Sequence, residues 1–355
     1  MIEIVPREDV SRGMQALVPV IAAVVALLLA AIPLWAAGAP VLPAYAQMFK
    51  GVFGSMFTFT EMLTRATPLI FTGLAAAVAF RAKLWNIGAE GQLYLGALAA
   101  VWVGTGMFDG PSIVMIPLVV LAGAVAGGLG MLFPVVLKTR FGADEVVTSL
   151  LLNFIILIFV QLMLEGAFKD PMGLGWPQSA PIVDAAVLPQ LLPRMRIHAG
   201  FLIALVLALI AWVVMSKTVW GLRLRAVGEN RAAARHAGLG VNKVYLLVAL
   251  ASGGLAGLAG VSEVAGLKGY LTADLSPGFG YTGIIVAMLA RLNPAGVVLA
   301  AIYVASVFVG ADSMSRGMGV SSFLADLTVS MSLICVLLGS FFVSFRLRWA
   351  RGAAA

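Results

Sequence analysis

The chain has 355 residues, 61% of them hydrophobic and only 11% charged, where a soluble domain carries about 25% charged residues. With a mean hydropathy of +1.04 there is too little polar surface to cover a globule in water, which excludes a soluble enzyme, a collagen-like chain and a disordered one. A single cysteine, Cys335, rules out an internal disulfide, two histidines leave little for a multi-histidine metal centre, and what remains is an all-α polytopic membrane protein.

About ten segments are apolar enough to enter a hydrocarbon core, which takes roughly 20 residues as helix. The first, 14–37, ends in Ala37-Gly38-Ala39. That triplet resembles a signal-peptide cleavage site, but the apolar stretch is too long for one, so an uncleaved span is expected. Residues 40–65 carry only Lys50, Glu61 and Arg65 as charges and are expected to hold a short helix at the outer interface. A second span, 67–80, leads into Asn86-Ile87-Gly88-Ala89-Glu90-Gly91-Gln92, where three polar side chains and two glycines interrupt the apolar pattern. Glycine permits a sharp turn and the next helix start offers free N–H groups. Either this is a capping turn with a solvated Glu90, or Glu90 faces protein, water or a pathway inside the membrane.

Spans three to five are expected at 92–107, 112–137 and 146–164. In the fifth, Asn153 and Gln161 lie two turns apart and either line a polar path or bond a neighbouring helix. Residues 165–196 are rich in proline and contain Lys169, Asp170, Trp176 and Asp184. A loop of that length is seldom empty, so a structured outer cap is expected. The sixth span, 197–215, places His198 at its outer boundary. The connection 217–243 has the densest basic charge. The seventh span, 244–262, carries Gly253, Gly257 and Gly260 at helical spacing, as the fourth carries Gly123 and Gly127, which suits close helix packing.

A second break, Leu275-Ser276-Pro277-Gly278-Phe279-Gly280-Tyr281-Thr282-Gly283, precedes a short eighth segment at 281–292. The first break follows a span running inward and this one follows a span running outward. Interrupted segments at matching places in two oppositely oriented halves point to an inverted repeat with a site between them. The glycines also spell G-x-G-x-x-G, but no strand precedes them, so dinucleotide binding is excluded. Spans nine and ten are expected at 295–311 and 323–343, the last with Asp326 and Ser330 one turn apart.

With the N-terminus inside, 16 of the 23 Lys and Arg residues fall on inner connections and 7 on outer ones. The positive-inside rule then places both termini in the cytoplasm after an even number of spans. The net charge of +7 is a topology signal rather than a nucleic-acid footprint. No phosphate-binding G-x-x-x-x-G-K-[ST] loop occurs, and two distant histidines and one cysteine supply no nucleophile–base–orienter set. The composition argues for passage rather than chemistry.

The cytoplasmic connection reads Gly221-Leu222-Arg223-Leu224-Arg225-Ala226-Val227-Gly228-Glu229-Asn230, then Ala232-Ala233-Ala234 and Gly238-Leu239-Gly240-Val241. It closely resembles the ATPase-contacting loop of permeases in the simple-sugar and nucleoside ABC import family, and the similarity runs from about Leu69 to the last spans. The stretch Asn86 to Gln92 looks like the nucleoside branch. After Ala290 the sugar branch usually carries Gly-Gly, whereas this chain has Arg291-Leu292-Asn293-Pro294.

The resemblance implies one transmembrane permease domain over 1–355 with a coupling loop at 217–243, in a bacterial cytoplasmic (inner) membrane. It implies a cytoplasmic ATPase partner holding ATP and Mg, a second and different permease subunit, and an extracytoplasmic substrate-binding lipoprotein, with no cofactor or metal on this chain. The coupling residues it implies are Arg225, Gly228, Glu229, Asn230, Ala233, Ala234 and Gly238, on a short helix near 229–237. Asn86, Glu90, Gln92, Asn153 and Tyr281 are the expected pathway or gate residues, and nucleosides, purine nucleosides in particular, the expected cargo. An importer of simple sugars and an ion-coupled secondary carrier are the competing readings.

Overall fold

The computed structural model describes residues 2–6, 12–106 and 110–349. In chain order the elements are strand β1 (Ile2–Pro6), α1 (Arg12–Ala36), α2 (Val41–Phe53), α3 (Met56–Arg81), α4 (Ala89–Gly104), α5 (Ser112–Phe141) and α6 (Glu145–Glu165). There follow a 3-10 turn (Asp184–Ala186), α7 (Ala199–Lys217), α8 (Val219–Glu229), α9 (Arg231–His236) and α10 (Val241–Glu263), which runs on as a π-helical turn (Val264–Lys268). The chain ends through α11 (Phe279–Leu289), α12 (Pro294–Met318), α13 (Ser322–Ser344) and strand β2 (Phe345–Trp349). Each of the ten expected segments is met by a helix. Seven helical segments among the described residues are long and apolar enough to cross a membrane: α3, α5, α6, α7, α10 with its π turn, α12 and α13. The shorter α4 and α11 are the two that follow the sequence breaks.

Two compact units are present, Met1–Phe59 with Ser306–Ala355 and Thr60–Ala305. In the first, α1 lies against α13, and Gly339 leaves room for Ala22. Strands β1 and β2 pair antiparallel, Ile2 opposite Trp349 and Pro6 opposite Phe345. This pairing brings the segment before α1 and the segment after α13 together. Helix α2 is the short helix expected between 40 and 65, and its Tyr45 hydroxyl donates to the Leu27 carbonyl.

The second unit is built around α4, which is buried on almost every side. It packs against α5 and α10 through glycines. A Cβ on Gly96 would lie 2.2 Å from the Gly257 carbonyl oxygen, and one on Gly127 2.3 Å from that of Gly253. The three backbones touch directly, which is what small residues at helical spacing permit when no water competes. Helix α6 buries only the stripe Glu145, Ser149, Asn153, Ile156, Val160 and Leu164, spaced three and four residues apart as one helical face must be. Its Leu151, Ile155, Ile158 and Leu162 stand exposed, as do Leu202, Val206 and Leu209 of α7. Such faces suit lipid or a partner chain rather than water.

Two expectations need correction. Helix α3 begins at Met56, eleven residues before the predicted 67. Glu61 and Arg65 made that stretch look like a loop, but both are half-buried on α3, where Glu61 meets the exposed Arg196 at 3.4 Å and Arg65 stacks over the Phe279 ring at 5.6 Å. The short helix expected near 229–237 is α9, and its start moves to Arg231, because Asn230 is extended and its carboxamide oxygen accepts from Ala233 N at 3.0 Å. A free side-chain oxygen starts a new helix there. The segment expected as a structured cap is ordered. Ser179 N, Ile182 N and Leu188 N donate to Leu271, Gly269 and Ala265 carbonyls at the end of α10.

Candidate functional site

The two sequence breaks meet. Residues 82–88 turn back from the end of α3 and climb beside it, and α4 begins where they stop. The Asn86 amide reaches the Ser252 hydroxyl at 2.9 Å, and that hydroxyl donates to the Ala75 carbonyl at 2.8 Å. Asn86 is therefore level with Ala75, about 9 Å up the axis from Arg81. From the other half, the chain after the π turn enters and starts α11 at Phe279, capped by Ser276 Oγ, which accepts from Phe279 N at 2.9 Å. Gly280 N then donates to Glu90 Oε2 at 2.6 Å. A Cβ on Gly280 would sit 2.3 Å from Glu90 N, so only glycine allows the two helix starts to come this close.

Two helix N-termini pointed at one another bring two partial positive charges together. Glu90 lies in the first turn of α4, buried to 4% exposure, and its carboxyl group supplies the acceptor that this junction lacks. It is buried in the protein rather than a solvated cap. Behind it Asn86 and Gln92 exchange two amide bonds of 2.8 and 2.9 Å, and Asn86 Oδ1 also accepts from Gly88 N at 3.0 Å. With the bond to Ser252 the Asn86 carboxamide makes four hydrogen bonds, its full complement. Asn153 on α6 accepts from Gly91 N at 2.8 Å and donates to the Ile87 carbonyl at 2.9 Å and the Tyr281 hydroxyl at 3.2 Å. All five expected site residues thus meet at one junction, in three hydrogen-bonded groups joined through the backbone of 86–92 and 280–281.

Four of the five are buried, and Tyr281 alone is exposed, at 38%. The four buried side chains bond the starts of α4 and α11 and the segment before α4. Sequence reasoning missed Ser149, Ser252 and Ser276. Ser276, ahead of Pro277-Gly278, carries a helix-capping signal that could have revealed it. Ser252 sits in a glycine run whose only visible message was packing. Gln161 lies outside the network, exposed beside the buried stripe of α6, and Asp326 and Ser330 are likewise exposed. His198 caps α7, its Nδ1 accepting from Gly200 N at 3.2 Å. No cluster of three or more metal-ligating side chains exists among the described residues.

Glu90→Ala would leave Gly280 N buried without an acceptor, so it is expected to destabilise the protein by about 1–3 kcal/mol. Glu90→Gln keeps an acceptor and should cost clearly less. Thermal unfolding of the two variants in detergent would read the difference. Equal loss in both would mean that the charge, not the hydrogen bond, holds the junction.

The basic connection forms a second feature. Gly228 at the end of α8 presses on the end of α3, where a Cβ would lie 2.3 Å from the Arg81 carbonyl oxygen. Arg231 donates to the Lys83 carbonyl at 3.3 Å and stacks over the Tyr245 ring at 5.4 Å. Arg225 turns back and donates to the Met215 carbonyl at 2.6 Å. Glu229, Asn230 and Ala233 are exposed, Ala234 is buried, and Gly238 ends α9 at φ +78° with open space around it. The α8–α9 pair thus rests on residues 81–83, the root of the segment that carries Asn86.

Residues 58–345 match the family described as branched-chain amino acid transport system / permease component. The chain is 37% identical to a glucose ABC transporter permease protein of Haloferax volcanii, over 96% of this chain and 92% of that one. It is 36% identical to a guanosine ABC transporter permease protein of Bacillus subtilis, over 92% and 94%. A nucleoside ABC transporter permease protein of Lactococcus lactis is 31% identical over 86% of each chain. Among solved structures, PsaBC from Streptococcus pneumoniae in complex with Fab shares the fold at a TM-score of 0.50 and 12% identity, over 84% of this chain and 96% of that one. With interrupted helices packed start to start inside an apolar helical body and a family match across most of its length, this chain belongs to the branched-chain amino acid transport system / permease component family and is an ABC transporter permease of the simple-sugar and nucleoside type.

Proposed function

We propose that the chain imports nucleosides across a cytoplasmic membrane, driven by ATP hydrolysis on a partner subunit, with both termini in the cytoplasm. The observation that carries the reading is the mechanical continuity from the α8–α9 pair to the helix junction. Gly228 and Arg231 bear on residues 81–83, and these lead within a few residues to Asn86, whose network holds the starts of α4 and α11. An ATPase that grips α9 and closes would push on this root. A tightly packed junction responds by switching between discrete arrangements rather than by bending. Tyr281 and its neighbours would then face the solute from one side and the other in turn.

Glu229, Asn230, Ala233 and Ala234 present and brace the coupling helix, with Arg225, Gly228 and Gly238 shaping its ends. The partners we infer are the ATPase with its ATP and Mg, a second and different permease, and a substrate-binding lipoprotein. A neutral ribose-plus-base solute needs hydrogen-bond partners and apolar walls rather than a charge clamp. The stretch Asn86 to Gln92 and the guanosine and nucleoside relatives support a nucleoside, and the glucose relative makes a simple sugar the competing cargo.

A tagged copy purified from native membranes is expected to bring down an ATPase and a second permease, identified by mass spectrometry. Cells carrying the complex are expected to accumulate labelled guanosine in preference to labelled glucose. Preference for glucose would replace the cargo and leave the importer reading intact. A lone chain that transports in a reconstituted vesicle without ATP, and loses activity to an uncoupler, would overturn the importer reading in favour of a secondary carrier.

A further inference from the structure

A basic pocket of about 290 Å³ lies at the ends of α3 and α7, lined by Arg81, Ser216, Arg225, Arg291 and Asn293 with Met215 at its wall. Its lining contains no carboxylate, and none of the three arginines is in an ion pair among the described residues. The backbone around it is strained. Arg291 and Leu292 adopt φ of 52° and 58°, a left-handed conformation that L side chains take only at a cost. Glycine would relieve that cost at position 291, yet the chain places a guanidinium there, facing two others.

Met215 also lines a second cavity, of about 600 Å³, between α5, α7 and α10. Its walls are apolar, among them Val78, Leu129, Leu207, Ile210 and Leu250. Val78 and Arg81 are one turn apart on α3, so the apolar groove and the basic pocket adjoin along two helices at once. The groove opens beside α7, whose exposed face carries Val206, Leu209 and Val213. A charged pocket joined to an apolar groove on a lipid-facing flank is complementary to one kind of molecule, an anionic glycerophospholipid.

We propose that this flank binds one anionic phospholipid, its phosphate among Arg81, Arg225 and Arg291, its polar headgroup toward Ser216 and Asn293, and an acyl chain along the groove past Met215. A guanidinium offers five donors in a fixed fork suited to phosphate, and Arg225 spends one on the Met215 carbonyl, so donors remain for the lipid. The headgroup would tie the end of α3 to the turn between α11 and α12. The inference needs only that the chain lies in a membrane and stands apart from the identity of the cargo.

The test uses the full-length chain in nanodiscs containing equal phosphatidylglycerol and phosphatidylcholine, released into native mass spectrometry. The wild-type chain is expected to retain one phosphatidylglycerol in preference. Arg291→Gly should lower that retention about fivefold, the effect of one basic residue on an anionic lipid. Its melting temperature in pure phosphatidylcholine should not fall, because glycine is at ease at φ 52°. Arg291→Lys should recover most of the preference, and Leu207→Trp, which fills the groove without touching charge, should lose it. Equal retention of the two lipids by the wild type, or an unchanged preference in Arg291→Gly, would overturn the proposal. So would a stabilisation by inorganic phosphate as large as that by phosphatidylglycerol, which would make the ligand a free anion. Loss of a co-purifying ATPase in Arg291→Gly with lipid retention intact would assign the pocket to the protein partner instead.

Discussion

Glu229→Arg combined with Ala233→Trp is expected to abolish uptake while the protein still inserts and folds. Both side chains are exposed, one at the end of α8 and one on α9, so neither change touches the packed interior. The Asn230 cap and the buried Ala234 that seats α9 stay in place. What changes is the surface that the proposed ATPase partner would grip. A small neutral site becomes bulky, and the carboxylate beside it reverses sign among Arg231 and Arg235, which suppresses docking of a surface selected for the original charge. Membrane abundance by immunoblot and uptake of labelled substrate are the two measurements. Normal uptake at normal abundance would remove the coupling assignment. Ala234→Trp serves as the contrast, since its site is buried at 3% and it should lower abundance as well.

Gly257→Leu is expected to prevent assembly of the second unit. A Cβ there would stand 2.2 Å from the Gly123 carbonyl oxygen and 3.1 Å from the Gly127 Cα. Those are backbone atoms of α5, which no rotamer change can move aside. Overpacking at an ordinary core site costs about 1–3 kcal/mol. Here the helices must separate, which also exposes the contacts of α4 with both, so a loss above about 3 kcal/mol is expected, against a typical total of 5–15 kcal/mol. The measurement is the fraction of monodisperse protein after detergent extraction. Gly254→Ala gives a milder comparison, because its Cβ would meet the nearest carbonyl oxygen, that of Ala124, at 3.1 Å. A well-behaved Gly257→Leu would mean that the α5–α10 contact is looser than its geometry states.

Much of this architecture was legible in the sequence because membranes simplify the code. A lipid-facing helix must be apolar, so α5, α6, α7 and α13 announce themselves by composition. The breaks at 86–92 and 275–283 were visible for the opposite reason, as polar groups and glycines where none are needed. Composition failed where protein, not lipid, surrounds a helix. The first turns of α3 carry Glu61 and Arg65 because those charges find partners on neighbouring parts of the protein, and a rule calibrated on lipid reads them as a loop. The partners within the site were illegible for a similar reason. Which serine meets Asn86 depends on the crossing of α3 and α10, and a serine in a glycine run has no local mark distinguishing it. Tyr281 and Gln161 were comparable candidates on paper. Only the packing of α6 shows one touching Asn153 and the other facing outward.

The bond between Glu90 and Gly280 spans 190 residues of chain. A ribosome adds about 5–20 residues per second, so Glu90 must wait roughly 10–40 s in or beside the bilayer before its acceptor role can be filled. During that interval the first half of the protein carries an ionisable group whose partner has not yet been made. The junction between α4 and α11 therefore closes only after Phe279 and Gly280 have been made. Arrest of translation before that point would leave a membrane-embedded fragment bearing an unsheltered acid, a feature by which quality-control proteases could tell unfinished copies from complete ones.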